Sequence, residues 1–98
     1  MNQFPRRRFL FDDINFRLDT SFFSPRIIGK LEFDNGYGAS VICFDYNEPN
    51  RRYELAVLHE GGICYDTPVT NDVVPYCNVA EIEDLLEQIA CLPAKSDS

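Results

Sequence analysis

Ile27-Ile28-Gly29-Lys30-Leu31-Glu32-Phe33-Asp34-Asn35-Gly36-Tyr37-Gly38-Ala39-Ser40-Val41-Ile42-Cys43 is the stretch that decides the fold. Two apolar runs flank Asn35-Gly36, and both residues of that pair tolerate the left-handed backbone of a tight β-turn. The stretch therefore reads as an antiparallel hairpin joining residues 27–33 to 37–46. In the second run Ala39, Val41 and Cys43 alternate with Ser40, Ile42 and Phe44. Both sets are fairly apolar, which predicts a central strand covered on each side.

The pattern continues downstream. In residues 53–59, Tyr53, Leu55 and Val57 share one face, while Glu54, Ala56 and Leu58 share the other. Gly61-Gly62 predicts a second hairpin to residues 63–67, and Asn47-Glu48-Pro49-Asn50 is a polar turn between the two hairpins. Thr67-Pro68 ends the last strand. Residues 68–77 read as a loop, in which Thr70-Asn71-Asp72 offers a cap for a short helical turn that Pro75 breaks.

Asn78 then reads as a helix cap, with Glu81 three residues on as its capping-box partner. Ile82, Leu85, Leu86, Ile89 and Leu92 recur at helical period, and Pro93 stops the run. A helix is expected over 79–91, within a helical segment 78–92 and ahead of a frayed end at 93–98. The fold class is α+β: a four- or five-stranded antiparallel meander with a C-terminal α-helix packed on one face. Residues 1–98 make one domain, divided into an N-terminal segment 1–26, antiparallel strands 27–67, the loop, the helix and the end.

The N-terminal segment holds six of the chain's eight phenylalanines. So aromatic a stretch is expected to pack. It is the candidate cover for the sheet face that the helix leaves open, through a fifth strand at 8–11 or 15–19 or against a second copy of the chain.

Charge divides along the chain. The first 26 residues carry five of the seven arginines against three aspartates, and the remainder carries four basic residues against thirteen carboxylates, for a net charge of −7. Such a split speaks to partners rather than to chemistry. No apolar run reaches the roughly 20 residues of a membrane span. Asp12 and Asp13 interrupt Phe9-Leu10-Phe11, which excludes a signal-peptide core and favours a cytoplasmic location.

Candidates for chemistry are few. His59 is the only histidine, and Cys43, Cys64, Cys77 and Cys91 lack zinc-site spacing. The cysteines read as reduced, small buried apolar residues. A dyad of His59 with Cys64 has no orienting group or oxyanion site beside it. Gly36-Tyr37-Gly38 opens a strand instead of a helix and so offers no phosphate cradle. The expectation is a protein with no catalytic residues, no cofactor and no metal.

Arg6, Arg7, Arg8, Phe9 and Phe11 form a basic-aromatic cluster that could serve self-association or stack on nucleic acid. The overall negative charge argues against direct nucleic-acid binding. The acidic surface is the remaining feature. Glu81, Glu83, Asp84 and Glu87 lie on the helix with no basic partner along it, and Asp66 and Asp72 could extend the patch. These carboxylates are the expected partner-binding residues, meeting lysines or arginines where phosphates would otherwise sit.

Tyr53-Glu54-Leu55-Ala56-Val57-Leu58, Ile63-Cys64-Tyr65-Asp66-Thr67-Pro68-Val69-Thr70-Asn71-Asp72-Val73 and Gly36-Tyr37-Gly38-Ala39-Ser40-Val41-Ile42, with the closing helix, resemble a group of small phage and prophage proteins of largely unassigned role. The resemblance spans roughly residues 36–92 and leaves out the N-terminus. Small acidic proteins of that setting are similar, as a class, to anti-CRISPR and other counter-defence inhibitors. What this implies is a non-catalytic inhibitor in the bacterial host cytoplasm, bound to a defence nucleoprotein such as a CRISPR effector and blocking its nucleic-acid path. The alternative is a homodimeric prophage accessory protein with no inhibitory role. The resemblance supplies no site residues.

Overall fold

The computed structural model describes residues 9–21, 25–70 and 72–94. The described chain forms β1 (Arg17–Asp19), β2 (Arg26–Glu32), β3 (Tyr37–Cys43), β4 (Tyr53–His59), β5 (Gly62–Ile63), β6 (Val74–Cys77) and α1 (Val79–Ala90), with a 3-10 turn at Phe11–Asp13. All strand pairs are antiparallel. The sheet order is β1-β2-β3-β4-β5, and β6 also pairs with β4. The architecture is the expected α+β sheet with one helix packed on it.

Both hairpins form, the first at Asn35-Gly36 as expected and the second at Glu60-Gly61, one residue before the expected pair. Phe33 N–H donates to the Tyr37 carbonyl at 2.8 Å, so three residues make the first loop, and Gly36 takes φ 90° at its end. That is the glycine-bulge turn, which needs a residue without Cβ at the left-handed position. In the second hairpin His59 faces Gly62, and Glu60 (φ 53°) and Gly61 (φ 87°) are the central pair. Two positive φ angles in a two-residue loop match the right-handed twist of the strands it joins.

The strand after this turn is shorter than the expected 63–67. Regular pairing stops at Ile63, followed by one hydrogen bond from Cys64 N–H to the Val57 carbonyl at 2.8 Å. The predicted loop 68–77 in turn contains a strand. β6 pairs with the far half of β4, with Cys77 opposite Tyr53 and Val74 opposite Leu55. Pro75 and the left-handed Tyr76 (φ 60°) hide this strand from a propensity reading, and the register shifts between its two pairs. β5 and β6 thus share one flank of β4. The expected helical turn at 70–72 falls partly outside the described residues. Thr67 Oγ1 accepts Thr70 N–H, and Thr70 Oγ1 accepts Asp72 N–H, which are local turns.

α1 closes the first face of the sheet. Ile82, Leu86 and Ile89 are fully buried in one cluster with Val41, Leu55 and Val57. Each such side chain contributes about 1.5–3 kcal/mol as an upper estimate. The capping box forms: Asn78 Oδ1 accepts Glu81 N–H, and Glu81 Oε1 accepts Asn78 N–H, both at 2.8 Å. The other helix end is held from far away in sequence. Asn35 Nδ2 donates to the carbonyls of Ile89 at 2.9 Å and Leu92 at 2.8 Å, while its Oδ1 accepts Tyr37 N–H.

Residues 9–16 of the N-terminal segment pack on the same face as the helix, not on the face expected for the segment. Phe9 packs edge-on against Phe33, and Phe11 and Phe16 pack against Tyr53. A 12-residue helix is about 18 Å long and cannot roof a sheet this wide. The missing side chain of Gly29 leaves a gap beside it, which Ile14 fills. The alternative of a strand at 15–19 is realised as β1, and residues 9–11 lead into the 3-10 turn. β3 is buried on both sides as expected of a central strand: only Ile42 is half-buried, and Ser40, with its second-face neighbours Ala56 and Leu58, is nearly closed off from solvent.

At the β1–β2 connection, Asp19 accepts the Ser21 hydroxyl at 2.6 Å and the Ser21 N–H at 3.1 Å. Arg26 donates to its other oxygen at 3.1 Å and 3.2 Å. The Ser21 hydrogen bonds first, and the guanidinium after them, hold the Asp19 carboxyl down at about 2 against 3.8. A depressed acid stabilises the fold above its unfolded value, and that contribution is lost as pH falls through about 2. We expect Ser21→Ala to raise the Asp19 value more than Arg26→Ala does. A carbon-detected NMR titration of both variants reads it, and the reverse order would place the ion pair first.

Candidate interaction surface

The exposed face of α1 is acidic. Glu81, Asp84 and Gln88 point outward, and the last turn carries no basic side chain. Asp84 Oδ2 accepts Gln88 Nε2 at 2.9 Å, which fixes the carboxylate along the helix. Asp66 and Asp72 are also exposed, in the loop before β6.

The six expected partner-binding carboxylates are not equivalent. Glu83 is half-buried, and its Oε2 accepts the Phe11 N–H at 2.8 Å. It pins the N-terminal segment to the helix and is not presented to a partner. Glu87 is half-buried too, and its Oε2 lies 3.6 Å from the Cys91 thiol. Glu81 is exposed but one oxygen serves the cap. Asp66 accepts the Cys64 thiol at 2.9 Å. The expectation of one acidic patch across the helix thus narrows to the Glu81–Asp84 side, with Asp72 nearby in sequence. Helical spacing put Glu83 and Glu87 away from the apolar stripe, yet both are half-buried, and the backbone partner of Glu83 lies too far along the chain for spacing to reveal.

A groove of about 430 Å³ adjoins that side, lined by Val74, Pro75, Cys77, Asn78, Ala80, Glu81, Asp84 and Leu85. Its lining combines the half-buried Val74 and Leu85 and the buried Cys77 with the exposed carboxylates Glu81 and Asp84. Sequence reasoning missed it because its wall is β6. The available signal was Leu85, which sits at the edge of the helical stripe and is only half-buried.

The other candidates fall elsewhere. Phe9 and Phe11 are engaged in the chain's own core, while Arg6, Arg7 and Arg8 lie outside the described residues. The Cys64 thiol turns to Asp66, and the His59 ring packs on Tyr37 with centroids 4.9 Å apart. Cys43 and Cys77 are buried, and that burial pushes both thiols up. They are protonated packing groups at neutral pH, whereas Cys91 is exposed and departs from the buried-cysteine reading. Among the described residues, no three His, Cys, Asp or Glu side chains gather as a metal site, and no described helix is long and apolar enough to cross a membrane.

Comparison with protein-family models, with curated proteins and with solved structures gives no match.

Proposed function

We propose that this protein is a non-catalytic binder that seats the acidic groove between β6 and α1 on a basic protein surface. The groove itself carries the reading: its lining brings the apolar side chains of Val74 and Leu85 together with the carboxylates of Glu81 and Asp84. Arginine and lysine present that combination in reverse, an aliphatic stem ending in a cation. The chain's charge of −7 would speed the encounter with such a surface and repel nucleic acid.

The biological role we assign is that of a phage-derived inhibitor. It would occupy the basic nucleic-acid path of a host defence nucleoprotein, a CRISPR effector being the first target to test. The resemblance of residues 36–92 to small phage proteins motivates that choice. The test is an interference assay in cells, paired with binding to the purified effector. The chain is expected to lift interference, and binding is expected to fall steeply with salt. Asp84→Lys combined with Asp72→Lys is expected to weaken binding by about tenfold or more, with the helix signal in circular dichroism unchanged. Full inhibition by this variant would remove the groove from the interface.

A further inference from the structure

We infer that the cavity beside Tyr76 takes an arginine side chain from the basic protein that the acidic groove would bind. This site rests on that reading of the partner and adds a second point of contact to it. Tyr76 is the first sign. Its backbone is left-handed, with φ 60°, and the residue is 80% exposed. A bulky residue in that region is strained, and glycine or asparagine would hold the same turn with less strain. A ring so exposed returns little burial energy to its own fold. Strain without a packing return marks a side chain that serves something outside the chain.

A cavity of about 280 Å³ is lined by Tyr76 together with Phe44, Pro75, Asp45, Arg52 and Glu54. Its volume falls just under the roughly 300–1,000 Å³ of small-molecule sites, which suits a single side chain. Phe44 is 46% exposed. Its ring already has the Arg26 guanidinium 6.0 Å from the centroid, so a planar cation is accommodated in this neighbourhood. Pro75 also lines the acidic groove, so the two sites adjoin and one partner can reach both.

Charge selects a cation. Asp45 and Glu54 stand against Arg52, and among the described residues none of these three side chains forms a hydrogen bond or ion pair. Arg26 is held by Asp19 at 3.1 Å and does not offset them. An anionic ligand would meet two carboxylates for one guanidinium, on a chain whose net charge is −7. Shape then selects arginine over lysine. A guanidinium is flat, stacks on aromatic faces and donates to a carboxylate as a fork, whereas an ammonium is a compact, strongly hydrated point charge.

An NMR titration of the full chain with a short peptide of alternating glycine and arginine, and with its lysine counterpart of equal charge, tests the site. The arginine peptide is expected to shift the Ile42, Phe44 and Tyr76 resonances and to bind about threefold more tightly than the lysine peptide. Asparagine tolerates the left-handed backbone, so Tyr76→Asn is expected to raise the urea midpoint slightly while weakening the arginine peptide by about fivefold. Glu54→Gln, which keeps the shape and removes the charge, is a second variant with the same expected direction on binding. Shifts confined to Val74, Glu81 and Leu85 would overturn this site and leave the groove standing. Shifts at Phe44 and Tyr76 without any at Glu81 would support this site and remove the groove, and no shift at either place would overturn both. Equal binding of the two peptides, or a Tyr76→Asn protein that binds as wild type does, would also overturn the site. So would a Tyr76→Asn protein less stable than wild type, since the ring would then be supporting the fold.

Discussion

Gly29→Val lowers the stability of this protein by about 3 kcal/mol, and Gly29→Ala by about 2 kcal/mol, on the scale of overpacked cores. The expectation runs against backbone propensity. Gly29 lies in β2 with no positive φ, so a β-branched residue there should strengthen the strand by that criterion alone. The cost comes from contact. A Cβ at this position would overlap Ile14 Cγ2, with the Asn15 carbonyl oxygen and Phe16 Cδ1 each 3.2 Å away. Backbone and side chain surround the site together, so no single rotamer change relieves it. Urea titration of both variants measures the loss. Combined with Ile14→Ala, the loss should be clearly less than additive, because the side chain that obstructs is already gone. A stabilised Gly29→Val protein would mean that the N-terminal segment does not cross β2 here.

Asn35→Asp costs about 2–3 kcal/mol at neutral pH. The substitution removes the amide that donates to the Ile89 and Leu92 carbonyls, at about 1 kcal/mol for each hydrogen bond. It also sets a negative charge at the negative end of α1, worth about 0.5–1 kcal/mol more. The acceptor role toward Tyr37 N–H survives, so the hairpin turn itself is spared. The pH dependence has a definite sign. Carbonyl oxygens repel the carboxylate, so its folded pKa lies above the ordinary value of about 3.9. The folded variant then binds more protons than the unfolded one, and its deficit relative to wild type shrinks as pH falls toward that value. Denaturation midpoints at pH 7 and near pH 4, for both proteins, read the effect. An equal deficit at the two values would show that the charge is irrelevant and that only the donor matters.

These two positions mark where the sequence was legible and where it was not. The alternation in β3 and β4 and the apolar stripe of α1 are local patterns, and burial of one face produces them directly. The Asn35-Gly36 turn was visible for the same reason, but its second task, holding the end of α1, was not. Nothing near Asn35 records a contact with residues 89–92. The side of the sheet taken by the N-terminal segment was also hidden. It is selected by the absence of one Cβ at Gly29, a matter of shape that hydrophobic period does not encode. β6 was lost because Pro75 and a left-handed Tyr76 contradict strand propensity, and its pairing with Tyr53 and Leu55 is tertiary. The candidate surface follows suit. Exposure of Glu81 and Asp84 was readable from the helix, whereas the groove beside them depends on a strand that was not.

The borders of the sheet carry a last consequence. On one side β1 is three residues long and bears Arg17 and Asp19. On the other, the flank of β4 is filled by two pieces of two and four residues, one of them holding a proline and a backbone turned off the strand path. Among the described residues, both borders are made of short or irregular pieces, which leave an incoming chain little continuous ladder to extend. Amyloid-like growth by edge-to-edge strand addition is disfavoured at both margins, so concentrated solutions of the folded protein are expected to show no thioflavin-positive fibrils.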